Sequence, residues 1–143
     1  MSRERFESRR QQFASAVTRL SEAVEDYLGR ERLVAAGLEP ARVERMTQDS
    51  VIQRFEFAYE LGWKTLKDWL QDQGIQAATP KQTLGAAYES KLIEDLAGWS
   101  DIHEMRNLTS HLYDEDKAKE VAEFVARQGL SLFKALAEQL DRK

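Results

Sequence analysis

The sequence predicts an all-α protein, an antiparallel four-helix up-and-down bundle with short additional helices, and three observations predict it. Apolar residues recur at three- and four-residue steps along most of the chain. No run alternates in polarity as a half-buried strand does. The breaks between periodic segments fall where glycine and proline stand, at Gly29, Gly37 with Pro40, Gly74 and Pro80. A chain of 143 residues is long enough to bury a core of several packed helices, and the expected organisation is a single helical domain over residues 1–143.

The first helix is expected from Arg3 to Leu28. Phe6, Phe13, Val17, Leu20, Val24, Tyr27 and Leu28 form its apolar stripe, and Gly29 lets the chain turn. The stretch "AAGLEPARVERMTQ" has few periodic apolar positions and reads as a loop with one helical turn. A central helix follows, capped by Asp49 or Ser50 and running to Gly74. Its stripe is Val51, Phe55, Ala58, Gly62, Leu66 and Trp69, yet Ile52, Phe57, Tyr59, Leu61 and Trp63 lie elsewhere around it. Such a helix needs cover from several directions, within the bundle or from a second chain. Gly62 would admit a neighbouring backbone, and Glu60, Lys64 and Asp68 read as an exposed charged strip.

Thr79 and Pro80 suit the cap and first position of a short helix over Lys81–Ser90. A turn is expected at Gly98, then a helix from Trp99 or Ser100. Asp114 is a plausible cap for the last helix, whose buried stripe is Val121, Phe124, Val125, Leu132, Phe133, Leu136 and Leu140, with Gly129 bending it or admitting close packing.

Composition narrows the function classes. Apolar residues make up 42% and charged residues 32% of the chain, which suits a folded soluble protein rather than a disordered one. With no cysteine there is no disulfide, thiolate zinc site or cysteine nucleophile, and the pattern is compatible with the cytoplasm. The charged N-terminal turns do not resemble a signal peptide, and no apolar run reaches the ~20 residues that span a bilayer, so no membrane association is expected. A net charge of -4 gives no global attraction to a polyanion. Arg3, Arg9, Arg10 and Arg19 are interleaved with acids and read as a solvated face. No phosphate-cradling glycine motif is present, and no cofactor is implied.

One segment carries candidate chemistry. "HEMRNLTSHLY", residues 103–113, holds both histidines of the chain with an arginine and a tyrosine. On a regular helix Met105, Leu108 and Leu112 would form a core stripe, with Arg106, Ser110 and Tyr113 on an adjacent face. His111 lies five residues beyond Arg106, about 140° away around the helix. A bend, a helix end or the reach of arginine is needed to bring the two to one phosphate. Histidine shuttles protons near neutral pH and guanidinium stabilises phosphoryl charge, so the pair suits RNA cleavage with the ribose 2'-hydroxyl as nucleophile and no metal. The competing reading is structural, with Arg106 paired to an acid, His111 hydrogen-bonded at a helix end and Tyr113 packed at the turn. His103 reads as a polar surface residue. Two histidines without an organised set of acids do not make a metal site, and Asp114, Glu115 and Asp116 read as favourable charge at a helix start.

The segments "DSVIQRFEFAYELGWKTLKDWL" and "GWSDIHEMRNLTSHLYDEDKA" together resemble the nucleotidyltransferase substrate-binding proteins, the HepT-like branch of the HEPN superfamily. The resemblance extends over most of the chain, the first and last helices matching mainly in pattern. The family carries an arginine, four intervening residues, a histidine, one further residue and a tyrosine, which here are Arg106, His111 and Tyr113, with Asn107 directly after the arginine. The resemblance implies a partner, a minimal nucleotidyltransferase encoded nearby, in a two-component toxin–antitoxin system. It also implies a homodimer that gathers two copies of the motif in an interface groove. By the same resemblance Arg106 would bind phosphate, His111 transfer a proton, Asn107 shape the site and Tyr113 accept AMP. Two functions follow: a binding subunit or AMP acceptor for the partner, or an active metal-independent endoribonuclease. The chain lacks a nucleotidyltransferase signature of its own.

Overall fold

The computed structural model describes residues Ser2–Lys143; Met1 lies outside the described residues. Seven α-helices appear among them: α1 (Ser2–Leu28), α2 (Arg30–Ala35), α3 (Pro40–Asp72), α4 (Pro80–Glu89), α5 (Leu96–Leu108), α6 (Glu115–Phe124) and α7 (Leu130–Asp141). A 3₁₀ turn, Thr109–His111, closes α5, and a π-helical turn, Val125–Gly129, joins α6 to α7. No strand occurs among the described residues, so the all-α expectation holds.

Cross-helix contacts give the direction of each rod. Arg9 meets Asp68 and Phe13 lies beside Gly62, so α1 and α3 run antiparallel. Tyr59 meets His103 and Glu56 meets Arg106, which sets α5 antiparallel to α3. Arg10 meets Asp141, and Arg3 donates to the Lys143 carbonyl, so α7 returns antiparallel to α1. The four rods, α1, α3, α5 and the bent α6–α7, therefore alternate up and down.

Phe133 on α7 joins the four rods. Its ring centroid lies 6.2 Å from Phe13 of α1, 5.9 Å from Phe55 of α3 and 5.3 Å from Trp99 of α5, mostly in edge or tilted contacts. Phe13, Phe55 and Phe133 are all fully buried. Gly62 makes room for this cluster, though for a side chain and not a backbone: a Cβ there would stand 3.0 Å from Phe13 Cε1.

Several boundaries differ from expectation. The central helix starts at Pro40, so the "PARVERMTQ" stretch is helical and Asp49 and Ser50 are interior. Pro40 occupies the first turn, where its fixed φ suits a helix. Val43 and Thr47 are buried in step with Val51 and Phe55. Thr47 serves as an apolar position because its hydroxyl donates to the Val43 carbonyl at 2.8 Å. The short α2, over residues to which the sequence pattern assigned no helix, follows the turn at Gly29. It buries none of its own residues and is pinned by Arg30, which pairs with Glu44 at 2.9 Å and stacks 4.0 Å over the Tyr27 ring. Gly29 keeps an ordinary φ of -96°, so the turn there does not require glycine, and Leu28 is exposed rather than part of the stripe.

Helix α5 begins at Leu96, not at Trp99 or Ser100, because Asp95 caps it by accepting from the Gly98 amide at 2.8 Å. Gly98 is thus helical, and its missing side chain matters sterically: a Cβ would lie 2.6 Å from the Asp95 carboxylate and 2.9 Å from Leu132. Asp68 leaves the expected charged strip. It is 2% exposed and accepts two hydrogen bonds from Arg9, at 3.0 and 3.1 Å. Burial outweighs that guanidinium and raises its carboxyl pKa. Arg9 and Arg10 therefore clasp helices together instead of forming a merely solvated face. The expected caps at Thr79 and Asp114 are present, the latter accepting from Asp116 and Lys117.

Candidate functional site at the end of α5

The site grows from the way α5 ends. Thr109 is buried, and its hydroxyl lies 2.7 Å from the Arg106 carbonyl. That carbonyl, one of the last four of α5, also accepts from the Thr109 backbone amide. Past this point the chain tightens into the 3₁₀ turn and reaches Asp114, which starts α6. Leu112 consequently does not continue the Met105 and Leu108 stripe. Those two pack against the core, while Leu112 is 36% exposed.

Arg106 is directed towards α3. Its Nη1 donates to Thr109 Oγ1 at 2.8 Å and lies 3.4 Å from Glu56 Oε2. Its Nε is buried and makes no hydrogen bond. Arginine in the last turn of a helix also complements the dipole. His111 and Tyr113 sit on the outer side of the turn, with Nδ1 3.4 Å from the phenol oxygen and the rings edge to face at 6.0 Å. Tyr113 is 84% exposed, so it does not pack at the turn. Asn107 is exposed, and its carbonyl accepts from Ser110 Oγ at 2.9 Å.

Within one chain the fold thus brings His111 to Tyr113 and Arg106 to Glu56. Among the described residues no hydrogen bond joins Arg106 to His111. The helix end supplies the needed departure from regular geometry, but it turns the two groups to different neighbours. No cluster of three or more His, Asp or Glu suited to a metal ion occurs among the described residues. No described helix is long and apolar enough to cross a membrane.

Three residues at this seam escaped the sequence reading: Glu56, Thr109 and Tyr59. His103 is corrected as well. It is half-buried, and its Nδ1 lies 2.6 Å from the Tyr59 hydroxyl. Burial, reinforced by Glu60 and opposed by Arg106, pushes the Tyr59 pKa up to about 12. Glu56 and Tyr59 are one turn apart on α3, as are His103 and Arg106 on α5, so the seam carries two polar rungs. The spacing of each pair was legible in the sequence; their opposition was not.

The family model described as nucleotidyltransferase substrate binding protein like matches residues 8–142. The chain belongs to this nucleotidyltransferase substrate-binding, HepT-like family. A Haemophilus influenzae protein named probable ribonuclease HepT is 38% identical over 89 residues, covering 59% of this chain and 61% of that protein. The match thus spans about three fifths of that relative's length. A solved Haemophilus influenzae structure, described as the fold of a substrate binding domain of a nucleotidyltransferase, has a TM-score of 0.81 at 31% identity and covers 92% of this chain and 98% of its own. A Thermus thermophilus crystal structure has a TM-score of 0.70 at 25% identity, covering 90% and 98%.

Proposed function

We propose that the protein, as one HepT-like helical domain, is the cytoplasmic partner of a minimal nucleotidyltransferase encoded nearby. It serves as that enzyme's binding subunit or AMP acceptor in a two-component toxin–antitoxin system. The observation that carries this reading is Tyr113, a phenol 84% exposed on a short turn beside an exposed histidine. The phenol oxygen attacks the α-phosphorus of ATP held by the partner. An O–P bond forms, the bond to pyrophosphate breaks, and the phenolic proton passes to a base. Neutral His111, with Nδ1 3.4 Å from that oxygen, is placed to take it. Intact-mass measurement after co-expression with the neighbouring nucleotidyltransferase tests the reading. The native chain should gain one or more AMP units and Tyr113→Phe none; an unmodified native chain would reject the acceptor role.

A second reading, a metal-independent endoribonuclease, draws support from the outward-facing His111 and the part-exposed Arg106 at the end of the same helix. His111 would take the proton of the ribose 2'-hydroxyl as that oxygen bonds to the adjacent phosphorus; the P–O5' bond breaks, leaving a 2',3'-cyclic phosphate and a 5'-hydroxyl protonated from water, with Asn107 shaping the site. Arg106, exchanging Glu56 for a phosphate, would hold the developing charge. Because the two groups part within one chain, a homodimer would complete each site with groups from both copies. RNA cleavage in EDTA tests this reading, and equal rates for the native chain and His111→Ala would overturn it.

A further inference from the structure

A surface cavity of about 300 Å³ lies between α4 and α5, one helical turn before Arg106, and neither reading above uses it. It is lined by the apolar Leu84, Gly85 and Leu96, of which Leu84 is buried, and by the polar Lys81, Ser100, His103 and Glu104, of which all but the half-buried His103 are exposed. An apolar lining beside donors and acceptors suits a flat ring with apolar faces and polar edges.

Two features keep the cavity open and aimed. Gly85 stands in the middle of α4, where glycine is disfavoured relative to alanine. A Cβ built there would meet no heavy atom within 4 Å, so packing does not demand glycine. What the absent side chain leaves is space beside the helix backbone, close enough for a planar group to approach. The second feature is His103. The buried Tyr59 hydroxyl lies 2.6 Å from His103 Nδ1, an arrangement in which its single hydrogen can be donated to Nδ1. Neutral His103 must then carry its own proton on Nε2, at the ring edge away from Tyr59. That leaves an N–H donor on a residue that lines the cavity.

We propose that the α4–α5 cavity is a nucleobase subsite, in which a base lies against Leu84, Gly85 and Leu96 and accepts a hydrogen bond at a ring nitrogen or carbonyl from His103 Nε2. Glu104 accepts from an exocyclic amine, and Lys81 offers its ammonium to a phosphate outside the cavity. The choice of a nucleobase among flat heterocycles rests on the nucleotide chemistry proposed above. Position supports it: His103 and Arg106 are separated by about 4.5 Å of helix rise, at ~1.5 Å per residue, which is within the span of one nucleotide. Tyr59 acts as a positioning residue through His103.

The test is amide and imidazole NMR of the full chain, titrated separately with AMP and with a short single-stranded RNA. Shifts at Gly85, Leu96 and Ser100 support the subsite, and the ligand that causes them tells whether the base comes from free nucleotide or RNA. No shift at these amides with either ligand overturns it. Gly85→Leu, whose Cβ would meet no heavy atom within 4 Å, should keep the native circular dichroism while weakening binding at least tenfold; a native spectrum with unchanged affinity overturns the proposal. Tyr59→Phe should turn the His103 ring nitrogens from one fixed tautomer to a mixture and weaken binding severalfold, whereas unaltered ring nitrogens would refute the positioning role. A chain that binds a base here but gains no AMP and cuts no RNA contradicts the preceding readings alone. One that is modified or cuts RNA without shifts at these amides contradicts this proposal alone.

Discussion

The two ends of α5 obey different rules. At its start, Trp99 and Ile102 are buried, Gly98 is pressed between Asp95 and Leu132, and Phe133 stacks edge-on against Trp99. At its finish, Asn107, His111 and Tyr113 face outward, and the helix tightens into a 3₁₀ turn. Between them, the His103 and Arg106 rungs are half-buried and polar. The chain thus runs from a packed core at Leu96 to an exposed turn at Tyr113 in fewer than twenty residues. Stability and chemistry can be altered at opposite ends almost independently.

The largest expected effect lies at the packed end. Phe133→Ala removes the ring that touches three other helices and should cost about 4 kcal/mol by urea unfolding, through lost burial and a cavity the rods cannot close. A loss near that of an exposed phenylalanine would refute the view of Phe133 as the centre of the bundle.

The seam should show itself at high pH. The Tyr59 phenol titrates at about 12 in the fold, against 10.0 when unperturbed. Its folded pKa is raised, so its contribution is fully present below pH 10 and is lost as pH rises through about 12. That difference amounts to about 2–3 kcal/mol. Tyr59→Phe should lose about 1 kcal/mol at pH 7 with its hydrogen bond, yet fall less steeply over this window. Parallel stability curves for the two proteins between pH 9 and 12 would contradict the buried phenol.

Smaller effects belong to the reactive end. Asp114→Ala removes the cap on the Asp116 and Lys117 amides and should cost about 1 kcal/mol, seen as a lowered melting temperature. Smallest of all, His111→Ala and Tyr113→Phe should leave thermal stability within about 0.5 kcal/mol of native, since both side chains are exposed. Their functional effects should nevertheless be complete: loss of RNA cleavage for the first and of AMP incorporation for the second. A marked drop in melting temperature for either would recast the exposed turn as structural.

How much of this was legible in the sequence follows the same gradient. The stripes of α1, α3 and α7 were readable because burial on one helix face repeats every three or four residues. Thr79 and Asp114 were readable because a cap bonds to backbone only three residues away. Asp95 was missed because Gly98 looked like a turn, whereas the glycine serves close packing by Leu132. The start of α3 was missed because Thr47 counts as polar in a pattern but hides its hydroxyl on the Val43 carbonyl. Arg106, Asn107, His111 and Tyr113 were singled out by residue type and family pattern. The pairing of Arg106 with Glu56, 50 positions earlier in the sequence, was invisible.

The sequence by itself determined that the chain is helical, which faces are apolar, and that its arginine, histidine and tyrosine gather where α5 ends. Only the tertiary structure decided that Asp68 is a buried partner of Arg9, that His103 is fixed by Tyr59, and that Arg106 and His111 turn to different neighbours. The physical reason is range. Helical periodicity and caps are set by residues within about one turn, whereas the partner of a buried polar group is chosen by whichever rod the core packing brings alongside.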